Sequence, residues 1–267
     1  MKKLFVSLLT LVMTISCSIF TTGCVGKLNY ELNSNSSGYI VSCGNLMFKK
    51  EIEILSEYEG LPVVEIAENG FEGCSSVENI TIPNTIKSIG AGAFNNCKNL
   101  QNVYFTGTAS EWAQINFADV GASPFWKSSE NYEVKLFINN EEVTKIDINV
   151  NSINANAFAG YSYLTEVKAT VNEKIGEQAF SSCTSLKTIT INGLIDTIDG
   201  YAFYFCNNLE SINIPASVKS IAAYAFHVCD SLKSATFEDP TGWSEDGLSD
   251  PTVAASVLRN KKALTKK

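Results

Sequence analysis

The sequence predicts a mainly β solenoid: a right-handed coil of about 23-residue repeats with a concave parallel β-sheet, short helical turns on the convex side, one inserted helix-hairpin and a cap at each end. Three observations predict it. Phe71, Phe94, Phe180, Phe203 and Phe226 are each followed three residues later by a cysteine, at Cys74, Cys97, Cys183, Cys206 and Cys229. Each phenylalanine is preceded five residues earlier by Ile66, Ile89, Ile175, Ile198 or Ile221, and a sixth copy, Ile153 and Phe158, carries Tyr161 in the cysteine position. After the cysteine comes an apolar residue and then an alternating pair such as Ile80-x-Ile82, Ile189-x-Ile191 or Ile212-x-Ile214, the period of a strand with one buried face. A unit this short cannot bury its apolar face alone, whereas stacked units can.

Residues 1–23 precede the fold. Lys2 and Lys3, an apolar run from Leu4 to Phe20 and the segment Thr21-Thr22-Gly23 make an export signal. The run includes Ser7, Thr10, Thr14 and Ser16 and falls short of the about 20 predominantly apolar residues of a membrane span. Gly23-Cys24 resembles the lipobox of bacterial lipoproteins, which implies lipidation at Cys24 and an anchor in the membrane at the cell surface. Several acyl chains on one residue hold a protein stably where a single chain does not. Free secretion is the alternative.

Residues 24–37, with Asn and Ser prominent, read as a tether. Residues 38–60 hold two strand-like pieces, Tyr39-Ile40-Val41 and Ile52-x-Ile54, and read as the N-terminal cap that an open stack needs. Repeats then fill 61–105 and 143–237. Within them Pro83 and Pro215 stop a strand, and Gly90 and Gly176 are expected where the turn needs backbone freedom. Residues 211–232, from Ser-Ile-Asn-Ile-Pro to Ala-Phe-His-Val-Cys-Asp-Ser-Leu, match the repeat of the BspA-like leucine-rich repeat family almost position by position. Over about 60–237 the chain resembles that family. The resemblance implies a leucine-rich repeat solenoid of a bacterial surface protein that adheres to matrix proteins, other cells or surface glycans.

Between Phe94 and Phe158 the period breaks, and residues 106–142 read as an insertion that protrudes from one continuous solenoid. Thr108-x-x-Glu111 is a capping box that starts a short helix carrying Trp112. Leu136-Phe137-Ile138 and the strand from Val143 flank Asn139-Asn140, a hairpin turn, and the pattern Val143-x-x-Ile146-x-Ile148 rejoins the stack. Residues 238–267 read as the C-terminal cap and tail. Trp243 is the plug over the last rung, Asp250 and Pro251 open a helix to Leu258, and Arg259 to Lys267 is a frayed basic tail.

Composition then removes several functions. The net charge is −8 and becomes −10 once Lys2 and Lys3 leave with the signal, a poor basis for binding nucleic acid. Export permits disulfides, yet equivalent side chains on adjacent rungs point in parallel about 4.8 Å apart, too far for Cβ atoms that need about 3.8 Å. The ladder cysteines are therefore expected as buried reduced thiols and Cys43, without a periodic counterpart, as free. With one histidine, His227, and no Cys-x-x-Cys pair, no metal or other cofactor is expected. The acid pairs Asp196/Asp199 and Glu141/Glu142 fall on turns, and no phosphate loop or nucleophile elbow is present, so no enzyme is expected.

What remains is surface. Between the buried strand positions, two columns face outward on the concave side: Asn79 and Thr81, Asn102 and Tyr104, Glu166 and Lys168, Thr188 and Thr190, Ser211 and Asn213. They form the expected recognition face, with Tyr104 as the one large anchor. The aromatics Trp112, Phe125 and Trp126 are a second candidate, either as an exposed platform for sugar or protein or, with Tyr104, Phe117 and Tyr132, as a small satellite core. The expected molecule is a monomeric, lipid-anchored scaffold for an extracellular protein or glycan. A structural spacer of the envelope and a carbohydrate-capturing accessory protein are the alternatives.

Overall fold

The computed structural model describes residues 27–44, 49–126 and 133–266. The export segment 1–23, Cys24 and Tyr132 lie outside the described residues.

The common rung bends at a corner and contributes one short strand to the concave face and another to a flank. The chain enters through an antiparallel hairpin, β1 (Asn29–Leu32) with β2 (Tyr39–Ser42). Asn29–Leu32 is thus part of the cap, although its composition predicts a tether. The reason is register, since Asn29 to Leu32 pair in turn with Ser42 to Tyr39. β3 (Glu51–Glu53) is the first concave strand, β4 (Glu57–Tyr58) returns the chain, and β5 (Leu61–Ile66) lies on the flank. β6 (Asn79–Ile82), β7 (Ser88–Ile89) and β8 (Asn102–Phe105) repeat the pattern. Parallel pairing joins β3 to β6 to β8 on the concave side and β2 to β5 to β7 on the flank.

The described residues of the 106–142 segment, 106–126 and 133–142, do not protrude. They build an irregular rung of their own. Helix α1 (Ala109–Ala113) starts at the Thr108–Glu111 capping box. β9 (Asn116–Phe117) pairs with β7 on the flank, and β10 (Lys135–Ile138) pairs with β8 on the concave face. Asn139 and Asn140, both at positive φ, then turn the chain into β11 (Glu141–Glu142). It is therefore β10 that rejoins the first sheet, whereas the Ile146-x-Ile148 pattern lies in β12 (Lys145–Ile153) and opens a second one. That eight-stranded sheet continues through β13 (Glu166–Ile175), β14 (Thr188–Asn192), β15 (Thr197–Ile198), β16 (Ser211–Ile214), β17 (Ser220–Ile221) and β18 (Ser234–Phe237). Proline ends two of the strands. Pro83 and Pro215 end β6 and β16 at the corner, while β12 and β13, which lack proline, run 9 and 10 residues through it.

The convex turns are a backbone ladder. Within each turn the cysteine N–H donates to the phenylalanine carbonyl three residues back. Between turns, the N–H groups two before, at, and two after the phenylalanine donate forward, as Asn69 to Ala91, Phe71 to Ala93 and Gly73 to Asn95. The two flanking positions are left-handed in all six copies: Asn69, Gly92, Asn156, Gln178, Tyr201 and Tyr224 before, and Gly73, Asn96, Gly160, Ser182, Phe205 and Val228 after. These residues stop each turn from winding on as a helix and aim alternate N–H groups at the next rung. For residues other than glycine the left-handed well is uphill by about 1–2 kcal/mol, least for asparagine. Gly90 and Gly176 serve differently from expectation. A Cβ there would lie 2.4 Å from the Glu68 nitrogen and 2.6 Å from the Ala155 nitrogen, so they permit close approach of the preceding rung.

The phenylalanine rings stack face to face, at 5.8 Å for Phe71–Phe94 and 5.0 to 5.4 Å from Phe158 through Phe226. Where the stack breaks, the inserted aromatics fill the gap. Trp112, Phe117 and Phe125 are buried and belong to the one continuous core, so they form neither an exposed platform nor a separate satellite. Trp112 Nε1 donates to the Ala157 carbonyl at 2.8 Å, and Ser123 Oγ donates to that of Ala159 at 2.9 Å. Tyr161, fully buried, reaches from the cysteine position to the hairpin. Its hydroxyl donates to the Val143 carbonyl and accepts from the Leu136 N–H at 3.3 Å.

The far end is closed as its residues predict. Trp243 stands edge-on to Phe237, ring centroids 5.2 Å apart, and α2 (Pro251–Leu258) starts at Asp250, whose carboxylate accepts from Thr252 and Val253. The basic stretch beyond is no frayed tail through Lys266. Leu264 is buried in β19 (Leu264–Thr265), which pairs with β17, and Lys266 ion-pairs with Asp239. That lysine and Thr241 hold the Asp239 carboxyl well below the usual carboxylate range.

Tyr161 gives a test in which the repeat's own consensus is the worse residue. Tyr161→Phe should lower stability by about 1–3 kcal/mol, the cost of two buried backbone groups left without a partner. Tyr161→Cys, which restores the Phe-x-x-Cys pattern, should cost about 3 kcal/mol or more through the cavity it leaves. Equilibrium urea unfolding measures both, and a Tyr161→Cys protein as stable as the parent would contradict the role given to the ring.

Candidate concave recognition face

Strand alternation decides which side chains the concave face offers. With Ile52, Ile80, Ile82, Val103, Phe105 and Leu136 turned inward and buried, their neighbours stand outward. Register aligns these into two columns. Glu51, Asn79, Asn102 and Lys135 form one, and Glu53, Thr81, Tyr104 and Phe137 the other. The first four predicted residues, Asn79, Thr81, Asn102 and Tyr104, therefore do come together. Glu51, Glu53 and Phe137 were not among the predicted residues, yet the same alternation places each beside buried Ile52 or Leu136.

Tyr104 does not act alone. Its ring stacks on Phe137 with centroids 4.9 Å apart and planes 22° from parallel, and both rings are partly exposed. Asn102 Nδ2 donates to Asn79 Oδ1 at 2.8 Å, which orients both amides. The pair borders a recess of about 800 Å³ whose walls include Lys49, Glu51, Glu53, Asn79, Thr81, Asn139 and Asn140. The site thus combines an apolar aromatic floor with carboxylates that only accept hydrogen bonds and amides that both donate and accept.

The other six predicted residues lie on the separate second sheet, so the columns do not run unbroken along the molecule. Glu166 is held by Lys145 at 2.7 Å and by Lys168 at 3.8 Å, and the Lys145 contact, first of all, keeps its carboxyl below the ordinary range. Such exposed pairs add little stability, but they engage these groups with one another. Asn213 donates to Glu238 at 2.6 Å, while Thr188, Thr190 and Ser211 are exposed. Of the three insertion aromatics Trp112, Phe125 and Trp126, the last keeps partial exposure, whereas Trp112 and Phe125 have no face to offer a ligand.

The described cysteines are paired or buried. Cys43 and Cys74 form a disulfide, which corrects the expectation that both are reduced. Cys43 follows β2 and is not a rung-equivalent of Cys74, so the parallel geometry that keeps ladder cysteines apart does not apply to this pair. Cys97, Cys183, Cys206 and Cys229 each donate from Sγ to the carbonyl of the previous rung's phenylalanine, at 3.1 to 3.2 Å. Burial pushes the Cys183 and Cys206 thiols far up, and that of Cys229 to about 12. Only a thiolate attacks or ligates, and burial disfavours that form at these three cysteines. Among the described residues no group of three or more His, Cys, Asp or Glu is placed to hold a metal ion.

Against known families, the model described as BspA type Leucine rich repeat region matches in six copies, over residues 64–172 and 130–242. No curated protein matches the chain. Among solved structures, a leucine-rich repeat protein of T. pallidum is 22% identical, with 88% of this chain and 94% of that one covered and a TM-score of 0.44. A leucine-rich cell surface protein of Faecalibacterium prausnitzii is 16% identical, covering 91% and 97%, TM-score 0.32. A leucine-rich repeat protein of Eubacterium ventriosum is 19% identical, covering 82% and 55%, TM-score 0.46.

The thiol ladder can be tested chemically. Native protein treated with iodoacetamide at pH 8 should keep Cys183, Cys206 and Cys229 unmodified, and all three should react after denaturation. Peptide mass spectrometry reads the outcome, and alkylation of any of them in the folded state would contradict their burial.

Proposed function

The chain belongs to the BspA-type leucine-rich repeat family, and from that premise we propose that it is a non-catalytic scaffold binding an extended extracellular polypeptide or glycan across the concave face of its N-terminal block. The observation that carries this reading is the stacked Tyr104–Phe137 pair at the edge of the 800 Å³ recess. Large aromatic side chains left partly exposed are expensive to keep out of a core and common as binding anchors. The flanking Glu51, Glu53, Asn79 and Asn140 supply the polar contacts that orient a ligand carrying hydroxyl, amide or ammonium groups. Thiols engaged in packing support the non-catalytic part of the reading.

The sequence at the N-terminus supports a site of action at the cell surface. An export segment ending at Gly23-Cys24 suits a lipid-anchored mature chain, and β1 begins only five residues after Cys24, which would hold the cap close to the membrane. Adhesion to matrix proteins or surface glycans follows as the role of such a scaffold.

Binding of the exported chain to arrays of matrix proteins and glycans tests this. Tyr104→Ala with Phe137→Ala should weaken the ligand found by about tenfold or more, as loss of an aromatic anchor does. Thr188→Ala with Thr190→Ala should leave it within about twofold. Absence of binding to every array would favour a structural spacer. Independently, Cys24→Ala should release the protein from the membrane fraction, and unchanged retention would contradict lipid anchoring.

A further inference from the structure

The convex turns carry their own control experiment. At each of the two left-handed positions, three of the four earlier rungs use asparagine or glycine, the residues that tolerate that backbone. The last two rungs break this habit. Tyr201 and Tyr224 occupy the first position at φ 57° and 63°, and Phe205 and Val228 the second at 61°. Bulky side chains in left-handed conformation are outliers, and outliers kept where the repeat has easier choices point to use of the side chain itself.

Those side chains meet. The Tyr201 and Tyr224 rings stack at 5.0 Å with planes 4° apart, and Tyr204 stands edge-on to Tyr201 at 5.6 Å. Tyr204 also lies 6.0 Å from Phe205, which is 38% exposed, and 6.0 Å from His227. His227, whose ring lies 5.6 Å from that of Tyr224, connects these rings to a cleft of about 260 Å³ between the last turn and the end of α2, lined by His227, Val228, Asp230, Ser256, Arg259 and Asn260. His227 and Arg259 are the only histidine and the only arginine of the chain. His227 Nδ1 lies 3.3 Å from the Arg259 carbonyl, and the exposed Arg259 side chain ion-pairs with no described residue.

We propose that this convex patch is a second binding site, for a saccharide that bears a carboxylate, of the uronate or sialate kind. The weakly positive C–H face of a pyranose suits the negative face of a partly exposed tyrosine ring such as that of Tyr224 beside His227. Arg259, whose guanidinium ion-pairs with no described residue, matches a carboxylate by a two-pronged hydrogen bond. The cleft lies below the about 300 Å³ where drug-sized pockets begin, room for one sugar ring rather than a helix. A protein partner fits less well, because such interfaces centre on an apolar core depleted of charge. Here Asp230, Arg259 and His227 are half of the six residues that line the cleft.

The test uses the exported chain and four probes: oligogalacturonate, sialyllactose, neutral cellohexaose and polyglutamate. Binding to oligogalacturonate or sialyllactose, with cellohexaose much weaker, is expected. Tyr201→Asn with Tyr224→Asn installs the residue that the repeat itself uses at Asn69 and Asn156, so the backbone is suited and binding should fall by about tenfold or more. Arg259→Gln, at an exposed position, should lower it similarly and decides the matter if the tyrosine variant proves unstable. Tyr104→Ala with Phe137→Ala should leave it unchanged, which separates this site from the concave one. Failure of both acidic saccharides to bind, unchanged binding in Arg259→Gln, or polyglutamate binding as tightly would overturn the proposal.

Discussion

The carbonyl oxygen of the repeat phenylalanine accepts twice, and the rest of the molecule is arranged around that. One lone pair takes the N–H of the residue three positions on in its own turn, and the other takes the thiol of the next rung's cysteine, as at Phe71, Phe158, Phe180 and Phe203. The phenylalanine sets the depth of the turn by stacking on its neighbours. The cysteine then has the size of a small hydrophobe and a donor at the right height. Residues of the pattern Phe-x-x-Cys are therefore a joint between rungs rather than a feature of one rung. The left-handed residues on either side serve the same joint, because they turn alternate N–H groups toward the next rung.

The exceptional rung follows from the same constraint. The irregular rung before Phe158 carries no Phe-x-x-Cys unit, and Tyr161 takes the cysteine position in the rung that follows. Tyrosine spans the larger distance to the hairpin, and Trp112 and Ser123 tie the inserted residues to the carbonyls of Ala157 and Ala159. On the other side, Phe94 donates to Gly121 as an ordinary rung would donate to the next alanine. The insertion thus hands on the hydrogen bonds it receives. Its β10–β11 hairpin also ends the first concave sheet and carries Phe137 beside Tyr104, so the irregular rung completes the recess of the concave face.

How much of this could be read from the sequence depended on whether a feature is local. Period-two alternation identified the inward and outward residues of each strand, and capping chemistry identified α1 and α2, because both act within a few residues. Pairing is not local. Leu136-x-Ile138 and Ile146-x-Ile148 fit the same strand template, and only packing decides that the first continues the sheet of β8. The Cys43–Cys74 link and the seating of Leu264 beneath β17 joined in sequence terms unrelated segments, so no pattern announced them. Phe137 was within reach, since it alternates with Leu136 and Ile138, but it looked like part of a protruding hairpin. The left-handed positions were hidden by their own variety, running from glycine to phenylalanine at one structural site.

Amide hydrogen exchange, resolved residue by residue, tests the central claim that the irregular rung transmits the stack. The Phe94 amide, bonded to Gly121, and the Phe180 amide, bonded to Ala202, lie on opposite sides of it. If the rung couples the two blocks, both amides open with the same free energy, within about 1 kcal/mol, and that energy equals global unfolding. If Phe94 exchanges through a separate opening several kcal/mol cheaper than that of Phe180, the blocks are independent and the account of the insertion is wrong.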